Sequence, residues 1–246
     1  MNIPALIRNA RTTRGAREKE LSLFEHLDEL RRRLIVASIA LVATTAISFL
    51  FSTQIIEFLL VPSGQTKLVA FTPTENFTTY FRVALFAGIA LAMPVILYEI
   101  YAYIDPALLP KERRFALTLG PFALALFVGG MAFCYFILLP NALKFLIGFG
   151  SEVIANQLRA SDYLSFVTTF ILGVGLIFEM PVVIYGLVRV RVVKRSWLTK
   201  QRRYVFLLVF IIGAIITPTP DPFNQTLVAV PMYLLWEVGL FLARFA

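Results

Sequence analysis

Apolar residues along this chain run in long blocks rather than in narrow stripes. Six blocks stand out: approximately Leu34–Ser52, Phe77–Tyr98, Phe115–Leu139, Tyr163–Val188, Tyr204–Ile216 and Phe223–Leu242. A bilayer core of about 30 Å needs roughly 20 apolar residues in a helix, so the first four are long enough to cross it. The fifth reaches only about 20 Å as a helix. The sixth contains Glu237, which is expected to interrupt it. The pattern predicts an all-α membrane protein of six transmembrane helices, with short fifth and sixth helices. Such a pair thins the bilayer locally or leaves water beside it.

Polar segments between the blocks carry specific stop and start signals. Residues 53–76 include Pro62 and then "TPTENF", in which Thr72, Pro73 and Glu75 fit N-cap, first turn and N3 of a capping box. Residues 140–162 form a second structured connection, with Ser161 and Asp162 as candidate caps for the fourth helix. "TPTPDP" at 217–222 predicts a proline-stiffened tip. Pro94 and Pro181 each leave a carbonyl one turn earlier without its helical donor; a kink is expected at Pro94. Residues 1–20 are polar and basic, without the apolar core of a cleavable signal peptide. They are expected to be a flexible tail ahead of a single six-helix domain, 21–246. No internal repeat is visible.

Charge gives the orientation. Of the 23 Lys and Arg residues, most fall before the first block (Arg8, Arg11, Arg14, Arg17, Lys19, Arg31, Arg32, Arg33), after the second (Lys111, Arg113, Arg114) and after the fourth (Arg189, Arg191, Lys194, Arg195, Lys200, Arg202, Arg203). Arg244 lies at the end. Opposite connections hold only Lys67, Lys144 and Arg159. By the positive-inside rule both termini are expected in the cytoplasm. The net charge of +8 is thereby explained as a topology signal, and nucleic acid is not needed as a partner. With 59% of residues hydrophobic, the composition is that of a multi-pass membrane protein. One Cys and one His exclude an intramolecular disulfide and offer no metal cluster.

Three acids draw attention. In "FEHLDELRRRL" (24–34), Glu29 faces Glu25, Arg32 and Arg33 at helical spacing. Its ordinary reading is a solvated ladder contributing about 0.2–0.5 kcal/mol per pair. Acids beside the inner headgroups, however, do nothing for membrane anchoring, and a cationic ligand would supply a reason for them. Glu112 in "PKERR" repeats the pattern. Glu179 in "GVGLIFEMPVVIYG" lies deep in the fourth block; an intramembrane acid generally faces a cavity or a partner. Gly175 and Gly186 share its approximate face and would admit close helix approach. The alternative is a protonated acid bonded within the bundle. No HExxH, paired intramembrane aspartates or phosphate-binding loop supports an enzyme.

The series "HLDELRRRL" (26–34), "FTPTENF" (71–77), "MPVILYEIYAYIDPALLPKERR" (93–114), "GMAFCYFILLP" (130–140), "SDYLSF" (161–166), "GVGLIFEMPV" (173–182), "TPTPDPFNQ" (217–225) and "PMYLLWEVG" (231–239) resembles the TatC family. This is the large multispanning subunit of the twin-arginine protein translocase. The resemblance runs from about Leu23 to Phe245. It implies a receptor, not an enzyme, without cofactor or metal, in the bacterial cytoplasmic (inner) membrane. Its ligands would be precursors whose signal peptides carry two consecutive arginines. It would work with TatA- and TatB-type single-span subunits and further copies of itself, exporting folded proteins on the proton-motive force. Carried over by motif, Glu29, Glu112, Arg31 and Tyr103 match the signal-peptide patch, and Glu179 the intramembrane polar site. Asp221, Gln225 and Pro62 match outer positions linked to transport. The chain departs from the pattern at Glu99, where the family often has Gln, at Tyr101, where it often has Trp, and in a tip longer by about one residue.

Arginine is a planar, permanently charged fork that carboxylates bind bidentately. Two such forks need at least two acids held at fixed separation, for which Glu29 and Glu112 are the candidates. Exposed pairs contribute at most about 1 kcal/mol each, so they are expected to give selectivity. Affinity would come from the apolar signal segment, at about 25 cal/mol per Å² removed from water. A secondary transporter with Glu179 as proton relay, or a scaffold without ligand, are the competing readings; the first would want repeat symmetry and more deep ionisable groups.

Overall fold

A computed structural model describes residues 23–64, 68–105, 108, 110–148, 157–217 and 221–245. The expected tail, 1–20, and the side chain of Glu112 lie outside the described residues. Five helical stretches are long and apolar enough to cross a membrane: His26–Leu50, Pro73–Ile104, Leu117–Gly148, Ala160–Arg189 and Pro222–Leu242. A shorter helix, Arg202–Ile216, makes up the expected set of six. Large apolar side chains such as Leu34, Val42, Leu50, Phe136 and Ile215 are exposed around the bundle, as lipid-facing residues must be.

The first helix, α1 (Leu23–Leu50), lies along the 32-residue α3 (Pro73–Ile104). Between them, α2 (Ser52–Leu60) and a 3₁₀ turn (Val61–Ser63) carry the chain across one side of the bundle. Apolar burial gives little drive between helices in lipid, so close approach and interhelical hydrogen bonds must hold them. The α1 seam supplies both with Ala37, Ala40, Thr44, Thr45 and Ser48, all at least partly buried. Thr44 Oγ1 donates to the carbonyl of Gly88 at 2.8 Å. A Cβ on Gly88 would sit 2.7 Å from Thr45 Cα, so only glycine lets the two backbones approach this closely. The α3 helix continues through Pro94.

The third crossing differs from its expected end at Leu139. It runs as α4 (Pro110–Phe133), a π-helical turn (Cys134–Leu138) and α5 (Leu139–Gly148). The wide turn, closed by Leu139 N–H on the Cys134 carbonyl, lets the helix pass Pro140 and run on into what the apolar pattern gave as a connection. The fourth crossing is two half-helices, α6 (Ala160–Ile177) and α7 (Met180–Arg189). Ser161 and Asp162 are not its caps: Arg159 holds the N-cap position and they fall in the first turn. The start is drawn back because Val69 and Arg159 form an isolated parallel bridge, with Val69 N–H on the Leu158 carbonyl at 3.1 Å and Ala160 N–H on the Val69 carbonyl at 2.9 Å.

After the short α8 (Arg195–Lys200) come α9 (Arg202–Ile216), 15 residues, and α10 (Pro222–Leu242), 21 residues. They are the shortest crossings, as expected, and α9 spans only about 22 Å. Glu237 does not interrupt the last helix, however. Its carboxylate accepts from Arg202 Nη2 at 2.7 Å, near the basic side. Phe127, Phe170, Leu164, Val167, Val228, Met232 and Leu240 are fully buried where α4, α6 and α10 meet the rest of the bundle.

Candidate functional site

On the basic side, the start of α1 meets the end of α3. His26 and Tyr103 stack with ring centroids 4.6 Å apart, and the Tyr103 hydroxyl lies 2.6 Å from His26 Nε2. Two turns along α1, Arg33 divides its guanidinium between two helices. Nη2 donates to Glu29 Oε1 at 3.3 Å and Nη1 to Glu99 Oε2 at 3.1 Å. Glu99 is buried and Glu29 only half-buried. The expected ladder is therefore realised through Arg33. Arg32 is exposed and makes no ion pair among the described residues. Arg31 is not brought to Glu29: it lies on another face of α1, beside Leu27, Leu34, Ile35 and Ser38.

A second acid group closes the α3–α4 corner. Arg113 grips Asp105 with Nε on Oδ1 at 2.6 Å and Nη2 on Oδ2. The Tyr101 hydroxyl donates to the same Oδ1 at 2.9 Å. Sequence reasoning missed this clamp and the Arg33–Glu99 pair. The signals were helical spacings, Tyr101 to Asp105 and Glu99 to Tyr103, and the departures from the family pattern at Glu99 and Tyr101; these mark a face and a position but not a partner.

Deep in the bundle, Glu179 stands at the break between α6 and α7. It is buried, and its Oε1 has no partner among the described residues. Pro181, two residues on, cannot donate to the Ile177 carbonyl, and α6 ends at Ile177. The break is seated on glycines. A Cβ on Gly130 would meet the Phe178 ring at 2.6 Å, and one on Gly239 would meet Ile184 Cδ1 at 2.8 Å and Pro181 Cα at 3.1 Å. Gly175 is similarly crowded by Met131 and Phe127, whereas Gly186, expected to share this role, faces open space.

Opposite the basic side, the capping-box expectation is half realised. Thr72 is the N-cap but its side chain makes no cap bond. Glu75 reaches back instead to Phe71 N–H at 2.9 Å, and its other oxygen accepts from Arg159 Nε at 3.0 Å and Ser161 N–H at 3.1 Å. One carboxylate thus caps two helices. Its hydrogen bond raises the Arg159 guanidinium above its ordinary pKa, keeping it cationic. Pro62 lies in the 3₁₀ turn, which ends at Gly64 with φ 66°, a left-handed value suited to glycine. The hydroxyls of Tyr135 and Tyr163 donate to the Phe58 and Leu59 carbonyls just before it, both at 2.8 Å. Asp221 caps α10, accepting from Asn224 N–H at 2.7 Å and Asn224 Nδ2 at 2.9 Å. Gln225 ties α10 to α9 through Nε2 on the Phe210 carbonyl at 2.8 Å. The candidate residues therefore fall into three places: a basic-side rim (Glu29, Tyr103), a buried break (Glu179) and the far-side turns (Pro62, Asp221, Gln225). Among the described residues, no three His, Cys, Asp or Glu side chains group as a metal site.

This is a multi-pass membrane protein whose polar groups mark helix junctions. The family model described as Sec-independent protein translocase protein (TatC) matches residues 25–231. The TatC protein of Carboxydothermus hydrogenoformans is 38% identical over 230 residues, 93% of this chain and 95% of that protein. The Aquifex aeolicus TatC protein is 38% identical over 232 residues, covering 92% and 96%. A crystal structure of the twin-arginine translocase receptor TatC superposes with a TM-score of 0.81 at 38% identity, covering 89% of this chain and 98% of that one. The chain belongs to the TatC family. It is a receptor subunit of the twin-arginine translocase, a transport component rather than an enzyme.

Proposed function

We propose that the basic-side rim receives the paired arginines of a twin-arginine signal peptide, with Glu29 and Glu112 each taking one guanidinium. The observation that carries this reading is Glu29 itself: half-buried, fixed by Arg33 through a single oxygen, and beside the stacked His26 and Tyr103. A carboxylate held in place with one oxygen left over can accept an N–H of an incoming guanidinium, and the whole fork once its resident partner lets go. The excess of basic residues on this side supports a cytoplasmic rim, and membership of the TatC family supports a place in the bacterial cytoplasmic membrane. Arg31, on a different face, would meet lipid headgroups or another part of the precursor.

The apolar part of the signal then runs along the bundle toward Glu179. TatA- and TatB-type subunits are recruited beside α9 and α10, where a helix of about 22 Å gives the membrane its narrowest apolar crossing, and the proton-motive force drives export of the folded cargo. Asp221, Gln225 and Pro62 support transport by fixing the far-side turns. Binding of a dye-labelled synthetic Arg–Arg signal peptide to the purified protein tests the rim. Glu29→Gln and Glu112→Gln should each weaken it about fivefold, the effect of losing one exposed pair, and the double variant should bind no better than a Lys–Lys peptide binds the parent. Unchanged binding in the double variant would sink the reading. Signal crosslinks confined to the far-side turns would remove the path toward Glu179.

A further inference from the structure

The rim already contains a guanidinium. Arg33 spans Glu29 and Glu99 with one nitrogen on each, at 3.3 and 3.1 Å, both longer than the roughly 2.7–2.9 Å of strong charge-assisted bonds. Its Nε is buried without a partner. The fork is thus stretched between two acids rather than seated on either. The two acids are not equivalent. The Glu99 side chain is 9% exposed and that of Glu29 22%. A buried carboxylate stripped of its cation is strongly destabilising, whereas Glu29 can turn to water. Two acids and one guanidinium also leave the trio one negative charge in excess, which a single incoming guanidinium neutralises.

We propose that Arg33 is a resident stand-in for the signal arginine and Glu99 the residue that positions it: on binding, Arg33 gives up Glu29 and closes onto Glu99. This rests on the assignment of Glu29 as a signal contact. Glu99 then governs signal affinity without touching the signal, because it sets how readily Arg33 leaves. With Glu99 neutral, Arg33 keeps Glu29 as its only carboxylate partner among the described residues and competes with the ligand.

The test is anisotropy of the labelled Arg–Arg peptide on the full chain in lipid nanodiscs, with thermal unfolding read in parallel. E99Q should weaken binding about fivefold, as much as losing the exposed pair at Glu29, and should add nothing on top of E29Q. The R33Q/E99Q variant, with no internal competitor, should recover to within about twofold of the parent, within the spread of such an exposed pair. A purely structural pair would instead lower the unfolding temperature in E99Q at unchanged affinity, or leave R33Q/E99Q no better than E99Q; either result overturns the inference. Should E99Q fail to fold, R33Q/E99Q alone decides, since weakened binding in that variant is equally fatal. Parent-like binding by E29Q would remove the site assignment and this inference together. Weakened binding by E29Q with parent-like binding by E99Q removes the inference alone.

Discussion

Glu75 and Glu179 are both buried carboxylates on long crossings, and they are opposites. Glu75 accepts from Phe71, Arg159 and Ser161, knitting the start of α3 to the start of α6. Glu179 sits where a helix is broken, its Oε1 unpartnered among the described residues. A fully satisfied acid specifies structure. An acid with a buried, unpartnered oxygen is maintained against stability, and such groups mark sites of function. The contrast separates two roles that the same residue type can play in one bundle.

The contrast can be tested from its strongest consequence downward. Glu75→Leu removes all three partners and leaves Arg159 without its acid. It should lower thermal stability more than any other single carboxylate replacement, and raise hydrogen exchange at residues 68–72 and 157–161; a stability matching the parent would dissolve the comparison. Glu179→Leu should do the reverse. Removing an unsatisfied buried group returns about 1–3 kcal/mol, so unfolding should shift upward while export of a twin-arginine reporter falls; Glu179→Gln should retain more export than Leu. Gly130→Leu drives a side chain into Phe178, next to Glu179. Overpacking of this kind costs about 1–3 kcal/mol, and export should drop with it, showing that the break needs its seat. The smallest effect is at the far tip: Asp221→Ala should cost about 1 kcal/mol as a lost helix cap, while Asp221→Asn should keep both cap and export. Loss of export in the Asn variant at full stability would give Asp221 a role beyond capping.

Much of the architecture is legible in the sequence because lipid simplifies the code. Long apolar blocks bounded by basic loops can hardly be anything but crossings, and the short reach of Tyr204–Ile216 already announces α9. What the sequence concealed has one physical origin, contacts across distance. Glu75 reads as a local cap, but two of its partners lie across the bundle at Arg159 and Ser161. Glu237 reads as an interruption, yet Arg202 neutralises it and the helix continues. Glu99 stands out as a departure from a family pattern and at helical spacing from Tyr103, but its pairing with Arg33 depends on how closely α1 and α3 lie. That closeness in turn depends on Gly88 facing Thr45, which no periodicity reveals. For the rim, the family resemblance groups Glu29, Arg31 and Tyr103; the structure sets Tyr103 against His26, one turn from Glu29 on α1, and turns Arg31 to another face of that helix.

The π-helical turn at Cys134–Leu138 has a consequence for how this crossing can change. One residue of an α-helix is about 100° of rotation, so a turn that holds an extra residue sets the angular phase of everything after it. Leu139, Ala142 and Leu143 point inward because of that phase, and Tyr135 meets the Phe58 carbonyl from within the same turn. Deleting one residue here would straighten the rod and swing its inward face toward lipid. Length along this crossing is therefore locked by rotation, and chain insertions or deletions belong in the connections, never in the turn.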